Sequence, residues 1–188
     1  MANKRLKTMK MSRHVINKIK RVKVLALDVD GVLTNGKINI DAKGKEIKVF
    51  DVKDGFGIAL LRKAGYKTAI ITARSSEAVT ARAKDLKIHK VFQNAYPKAK
   101  AFQDLLKFFD VEAQQVCYVG DDFPDLMVMQ SAGLSVAVGN AVDEVKKEAD
   151  YVTQKQGGAG AVREVVELIL KKQGKWKTMV TRFTKVGD

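Results

Sequence analysis

Acidic side chains recur in this sequence where apolar runs stop. Val22–Leu27 is followed by Asp28-Val29-Asp30-Gly31-Val32, and Val116–Val119 by Gly120-Asp121-Asp122, with Asp125 one turn on. Thr72 follows the apolar run Lys67–Ile71, and Lys98 comes shortly after another near Phe92. Taken singly, an Asp or Thr in such a place is a helix cap, because its side-chain oxygen accepts from the orphan N–H groups of the first turn. Thr72 and Asp125 read that way on their own. Asp28 does not, since Asp30 follows two residues later and the two carboxylates repel. Asp28 and Asp30, joined by Asp121, seek a hard cation, and three oxygen donors with open positions suit Mg²⁺, which keeps waters and a phosphate oxygen. Lys98 and Thr72 complete an anion-binding ring around it.

Such residues work together only if the fold brings the strand ends together. Apolar runs at Val22–Leu27, Lys67–Ile71, Lys90–Phe92, Val116–Val119, Leu134–Val138 and Tyr151–Val152 read as strands. Helical stretches separate them: Asp54, as a cap, to about Ala64, ended by Gly65; Ser75 to about Leu86; a helix from Pro97; one to about Ser131; and Ala159–Lys172. Lys37–Ile40 and Glu46–Phe50 flank a polar turn containing Gly44 and predict a β-hairpin. Alternating strands and helices predict an α/β, Rossmann-like three-layer fold with a mostly parallel central sheet. In such sheets ligands gather at the carboxyl ends of the strands, where these polar residues stand.

The chain has 188 residues, 46% of them hydrophobic, and a formal net charge of +14. That size and composition suit one domain with a sizeable core and argue against disorder. The charge is not spread evenly. Residues 1–23 hold nine Lys/Arg and no acid, residues 171–188 hold six and one acid, and residues 24–170 are formally neutral. The expected division is a basic N-terminal extension over 1–21 with a short helix capped by Ser12, a body over 22–172 with a hairpin flap at about 35–51, and a basic tail over 173–188. Residues 1–11 read as disordered, and Trp176, Met179, Val180 and Phe183 as a surface for a neighbouring subunit. No specific nucleic-acid partner follows from a neutral body. One cysteine, no signal peptide and no apolar run of the roughly 20 residues a bilayer requires lead to an expected cytoplasmic protein without a membrane span.

The ordered set Asp28-Val29-Asp30-Gly31-Val32, Thr72, Lys98 and Gly120-Asp121-Asp122 with Asp125 resembles the four motifs of the haloacid dehalogenase superfamily, over about Val22 to Leu170. The resemblance implies a phosphatase in which Asp28 attacks phosphorus and forms an aspartyl-phosphate. It implies that Asp30 protonates the leaving oxygen and later takes a proton from water. Mg²⁺ would be held by the Asp28 carboxylate, the Asp30 backbone carbonyl and Asp121, with Thr72 and Lys98 on the phosphoryl oxygens. Asp122 and Asp125 would orient metal-bound water or Lys98. Only about 20 residues separate Thr34 from Asp54, room for a hairpin flap in place of the cap domain found in most relatives.

Within that superfamily, Val49–Ile58, Ile70–Arg74, Tyr118–Asp122, Gly133–Val138, Ala149–Thr153 and Gly157–Glu164 look like the corresponding segments of 3-deoxy-D-manno-octulosonate 8-phosphate phosphatases. The resemblance implies a homotetramer serving lipopolysaccharide inner-core synthesis, and an acidic sugar phosphate as substrate. It places Asp51, Lys53, Asp54, Gly55, Arg74 and Arg82 among the substrate contacts, beside Asp30 and Lys98. The sequence departs from the family at Ala59, Ala73, Asn94–Pro97 and Ala159, and these departures leave the phosphoryl-transfer residues intact. A sister group acting on nine-carbon ulosonate 9-phosphates tends to carry Glu where Arg74 stands, so Arg74 favours the octulosonate. A receiver-like signalling domain and a basic-tailed binding protein are the non-enzyme alternatives. The Asp28/Asp30 pair and the hairpin argue against the first, and the neutral body against the second.

Overall fold

A computed structural model describes residues 11–184. It begins with α1 (Arg13–Arg21), whose Ser12 cap accepts from the Val15 N–H at 3.2 Å. β1 (Val24–Leu27) leads into a two-stranded hairpin, β2 (Asn39–Ile40) and β3 (Glu46–Ile47), then α2 (Val52–Lys63). Next come β4 (Lys67–Ile71), α3 (Glu77–Asp85), β5 (Lys90–Phe92) and α4 (Lys98–Phe109). The second half holds β6 (Val116–Gly120), α5 (Leu126–Ser131), β7 (Leu134–Ala137), α6 (Asp143–Glu148), β8 (Tyr151–Val152), α7 (Ala161–Lys172) and α8 (Trp176–Thr184).

The six strands outside the hairpin form one sheet in the order β5-β4-β1-β6-β7-β8, every neighbouring pair parallel. β1, β6 and β7 are buried at every position, as strands covered on both faces must be, hence their almost wholly apolar sequences, Ser135 of β7 excepted. Helices α1, α2 and α7 pack together as one layer, and α4, α5 and α6 as the other. Val162, Val165, Val166, Ile169 and Leu170 of α7 are fully buried; each contributes roughly 1.5–3 kcal/mol relative to exposure. Strand addition reverses between β1 and β6: one side grows through β4 and β5, the other through β7 and β8. Leu27 pairs with Val119, and the Asp28 N–H donates to the Val119 carbonyl at 3.0 Å. The residues leaving β1 and β6 therefore emerge side by side, at the switch point where an open α/β sheet leaves a crevice.

Several expectations need adjustment. The sheet is wholly parallel. The helix expected to start at a capping Asp54 starts earlier: Asp51 is the cap, accepting from the Lys53 and Asp54 N–H groups at 2.7 and 3.0 Å. Pro97 occupies the cap position of α4 rather than its first turn. A 3₁₀ turn at Phe123–Asp125 precedes α5. Helices α6 and α8 were not anticipated. The short helix of the N-terminal extension docks on the body, with Ile19 of α1 fully buried in the core. The predicted disorder of residues 1–11 lies, Met11 apart, outside the described residues. Of the apolar residues of the C-terminal stretch, Met179 is buried and Trp176 partly buried in their own chain, while Val180 and Phe183 stay exposed. Gly174, at φ +73°, turns the backbone so that α8 folds back, burying Met179 and setting Phe183 edge-on to Phe56 of α2, ring centroids 5.4 Å apart.

Candidate active site

Asp28 ends β1 and is buried at the base of the crevice. Lys98, the first residue of α4, places Nζ 2.7 Å from Asp28 Oδ1 and 2.6 Å from Asp125 Oδ1. Asp125 is fully occupied. Its Oδ1 also accepts from the Tyr118 hydroxyl at 2.6 Å, and its Oδ2 from the N–H groups of Asp121 and Asp122 at 2.9 and 3.3 Å. Close packing fixes this geometry: a Cβ on Gly120 would stand 2.5 Å from the Asp125 Cβ, and one on Gly31 2.0 Å from Asp121 Oδ2. Thr72 is buried one residue past β4, with its hydroxyl accepting from the Arg74 N–H at 3.4 Å.

The electrostatics are those of crowded acids. Burial, and next the charge of Asp125, push the Asp28 carboxyl up to about 7 despite the opposing pull of Lys98. Burial and then Asp28 push Asp121 up to about 8. For Lys98, burial pulls the ammonium down, but Asp28 and Asp125 outweigh it and the group titrates above its ordinary value. Burial and Asp125 raise the Tyr118 phenol well above its ordinary range, so it acts as a donor.

Asp28, Asp121 and Asp125 present oxygen atoms all within 4.8 Å of one another. Three carboxylates against one ammonium leave a surplus of negative charge in a buried place. An all-oxygen donor set carrying that surplus fits a hard divalent cation such as Mg²⁺. With both oxygens of Asp125 engaged, Asp28 and Asp121 are the carboxylates available to hold it.

The other sequence-derived candidates divide. Asp30 is partly exposed at the mouth, and its Oδ1 accepts from Lys48 Nζ at 2.5 Å. Arg74 is exposed at the start of the β4–α3 connection and donates to Glu46 Oε1 at 3.0 Å. Lys53 is exposed. Asp51 is occupied in capping α2, and Asp122 in capping the turn at Phe123, whose N–H it accepts at 2.8 Å. Asp54, expected at the sugar, is only 1% exposed and accepts from the N–H groups of Gly160 and Arg163 at 3.2 and 2.7 Å. It ties α2 to the first turn of α7. Arg82, also expected at the sugar, pairs with Asp85 at 2.7 Å and lies over the Phe50 ring. Gly55 is there to admit it, since a Cβ would meet Arg82 Nη2 at 2.3 Å. Asp54, Gly55 and Arg82 thus join elements of the scaffold.

Sequence reasoning missed Lys48 and Glu46. Their signal was available: residues two apart on a strand share a face, and Glu46 and Lys48 flank an outward Ile47. A groove of about 820 Å³ opens at the other end of the sheet near Lys20, Lys23, Lys67 and Lys175. It holds none of these acids; a phosphate site made of charges needs little volume.

A parallel α/β sheet with paired acids, a lysine and a threonine at its switch point defines a phosphoric monoester hydrolase of the haloacid dehalogenase type. The family described as haloacid dehalogenase-like hydrolase matches residues 87–165. The chain is 44% identical over 165 residues to the 3-deoxy-D-manno-octulosonate 8-phosphate phosphatases of Salmonella typhi and Escherichia coli K12, covering 88% of both chains in each case. It superposes on the solved structure of that phosphatase from Yersinia pestis with a TM-score of 0.86 at 41% identity, covering 88% of this chain and 89% of the other. A structure from Moraxella catarrhalis, described as a complex with a magnesium ion, a phosphate ion and a KDO molecule, gives a TM-score of 0.88 at 41% identity, covering 90% and 97%. The chain belongs to the 3-deoxy-D-manno-octulosonate 8-phosphate phosphatase family.

Proposed function

We propose that this chain hydrolyses 3-deoxy-D-manno-octulosonate 8-phosphate to the free sugar acid and phosphate, with Mg²⁺ bound between Asp28, Asp121 and the backbone carbonyl of Asp30. The observation that carries the reading is the Asp28–Lys98–Asp125 bridge beside Asp121, in a chain this similar to phosphatases of that name. Bound Mg²⁺ supplies positive charge that offsets the repulsion between an anionic nucleophile and an anionic phosphate. Asp28 attacks phosphorus in line and carries the phosphoryl group as an aspartyl-phosphate. Asp30 protonates the departing sugar oxygen, then takes a proton from the water that cleaves the acyl phosphate. Lys98 and the Thr72 hydroxyl neutralise charge on the transferring oxygens. Arg74, exposed at the mouth, is the cation for the sugar carboxylate.

The hairpin supports the assembly part of the reading. Ile38, Ile40, Ile47 and Val49 are all exposed on it, an apolar patch that suits contact with further copies of the chain in a homotetramer. Among the described residues no helix is long and apolar enough to cross a membrane. The lone Cys117 is buried and fits a reducing cytoplasm, where the product would enter lipopolysaccharide inner-core synthesis. The test is phosphate release with Mg²⁺ from the octulosonate 8-phosphate, a nonulosonate 9-phosphate and hexose phosphates. Highest kcat/KM on the first is expected. A wide preference for a hexose phosphate overturns the substrate assignment, and a preference for the nonulosonate moves it to the sister group. Light scattering tests the tetramer.

A further inference from the structure

The hairpin is inside out. Its isoleucines face outward, whereas the Lys48 side chain is only 3% exposed. A lysine is almost never that buried unless it is paired. Its partners are Asp30 Oδ1 at 2.5 Å and Glu46 Oε1 at 3.2 Å, and Glu46 also accepts from Arg74 at 3.0 Å. Asp30, Lys48, Glu46 and Arg74 therefore form one continuous run of alternating charges from the catalytic loop, through the flap, to the mouth. Lys48 is the link that ends on the catalytic loop.

We propose that Lys48 is a positioning residue for the carboxyl group of Asp30, which rests on the reading of Asp30 as the proton donor in phosphoryl transfer. In that step Asp28 forms its bond to phosphorus while the bond from phosphorus to the sugar oxygen breaks. The electron pair stays on that oxygen, and the Asp30 proton moves to it. An ammonium fixed on Oδ1 prevents the carboxyl group from turning and leaves Oδ2 as the oxygen free to meet the leaving group. Glu46 holds the ammonium from its other side, so the setting of the general acid depends on the flap being docked. The substrate itself touches Asp30, and Lys48 acts through it.

The consequence is a dependence on the leaving group that a merely structural fastening would not produce. kcat/KM covers the steps up to departure of the leaving group. It is measured for Lys48→Met on an alkyl phosphate, the octulosonate 8-phosphate, and on 4-nitrophenyl phosphate, whose phenolate leaves without a proton. The expected result is a fall of about 100-fold on the first and less than about threefold on the second, the size of effect that a misplaced general acid produces. Lys48→Arg, which keeps the cation, recovers most of the alkyl-phosphate activity. Equal falls on both substrates, no fall on either, or no recovery in the arginine variant overturns the proposal. Should Lys48→Met fail to fold, Lys48→Gln carries the same two-substrate comparison. If the unmodified chain does not hydrolyse the octulosonate 8-phosphate, the substrate assignment fails by itself, and the comparison is run on whichever alkyl phosphate it does hydrolyse.

Discussion

Lys98 Nζ bridges two carboxylates, Asp28 at 2.7 Å and Asp125 at 2.6 Å, and only one of them can meet phosphorus. Asp125 has no acceptor capacity left for a ligand, so its task is to hold the ammonium beside the nucleophile. Lys98→Met removes the bridge and leaves two buried acids unpaired. Breaking a buried ion pair in this way costs about 3–5 kcal/mol. The expected outcome is a large fall in melting temperature together with loss of phosphate release of at least about 100-fold, from the lost stabilisation of transferring charge. Thermal melts and steady-state assays check both.

Asp121 bears on metal binding and stability in opposite directions. Its folded-state carboxyl titrates at about 8, above the ordinary 3.8, because of burial and Asp28. A raised acid costs stability as pH rises through that window, since the unfolded chain ionises first. Asp121→Asn should therefore stabilise the metal-free protein at pH 8.5, by roughly 1–2 kcal/mol after screening at a partly exposed site, or about 2–8 °C. The gain should vanish near pH 4. Added Mg²⁺ should raise the melting temperature of the unmodified chain but not of the variant, since binding to the folded state alone stabilises it.

The strands and the acids that follow them were legible because their signals are local. An unbroken apolar run followed by Asp needs no partner to be recognised, and β4, β5 and β8 keep the bounds their sequences suggest. Asp54 was misread because its partners, Gly160 and Arg163, lie more than 100 residues away, and a local cap rule sees only its own helix. The place of Arg82 was not legible for the same reason: its position against Phe50 and Gly55 is set by contacts between residues about 30 apart in sequence. Lys48 was hidden by its hairpin, where charge faces inward and apolar side chains face outward.

The glycine-rich stretch before α7 props the catalytic loop. Gly157 has no room for a side chain: a Cβ there would stand 1.6 Å from the Gly31 carbonyl oxygen, a backbone atom that cannot rotate away. Gly158 donates to the Val32 carbonyl at 2.9 Å, so the two loops are bonded as well as packed. Gly157→Ala must push the loop carrying Asp30 and Gly31 out of place. A displacement of about 1 Å at such a loop costs on the order of 100-fold in rate. A Gly157→Ala variant as active as the unmodified chain would contradict this account.

Asp54 couples pH to the same loop from its far side. Its carboxylate accepts from Gly160 and Arg163 and so caps α7, while burial pushes its titration up to about 6 from 3.8. The sign follows from linkage. Between about pH 4 and 6 the unfolded chain has lost this proton and the folded chain keeps it, so the contribution is full below pH 4 and declines as pH rises through 6. Asp54→Asn removes the titration but retains one acceptor for the α7 N–H groups. The stability of the unmodified chain relative to this variant should therefore fall by roughly 1–3 kcal/mol from pH 4 to pH 7 and stay level above it. Asp54→Ala lacks any acceptor and should lie about 1–2 kcal/mol below Asp54→Asn at all pH values, the cost of an uncapped helix. Urea melts of the three proteins from pH 4 to pH 8 measure both effects. A stability of the unmodified chain that instead rises with pH relative to Asp54→Asn would show that the backbone donors of α7, rather than burial, govern this carboxylate.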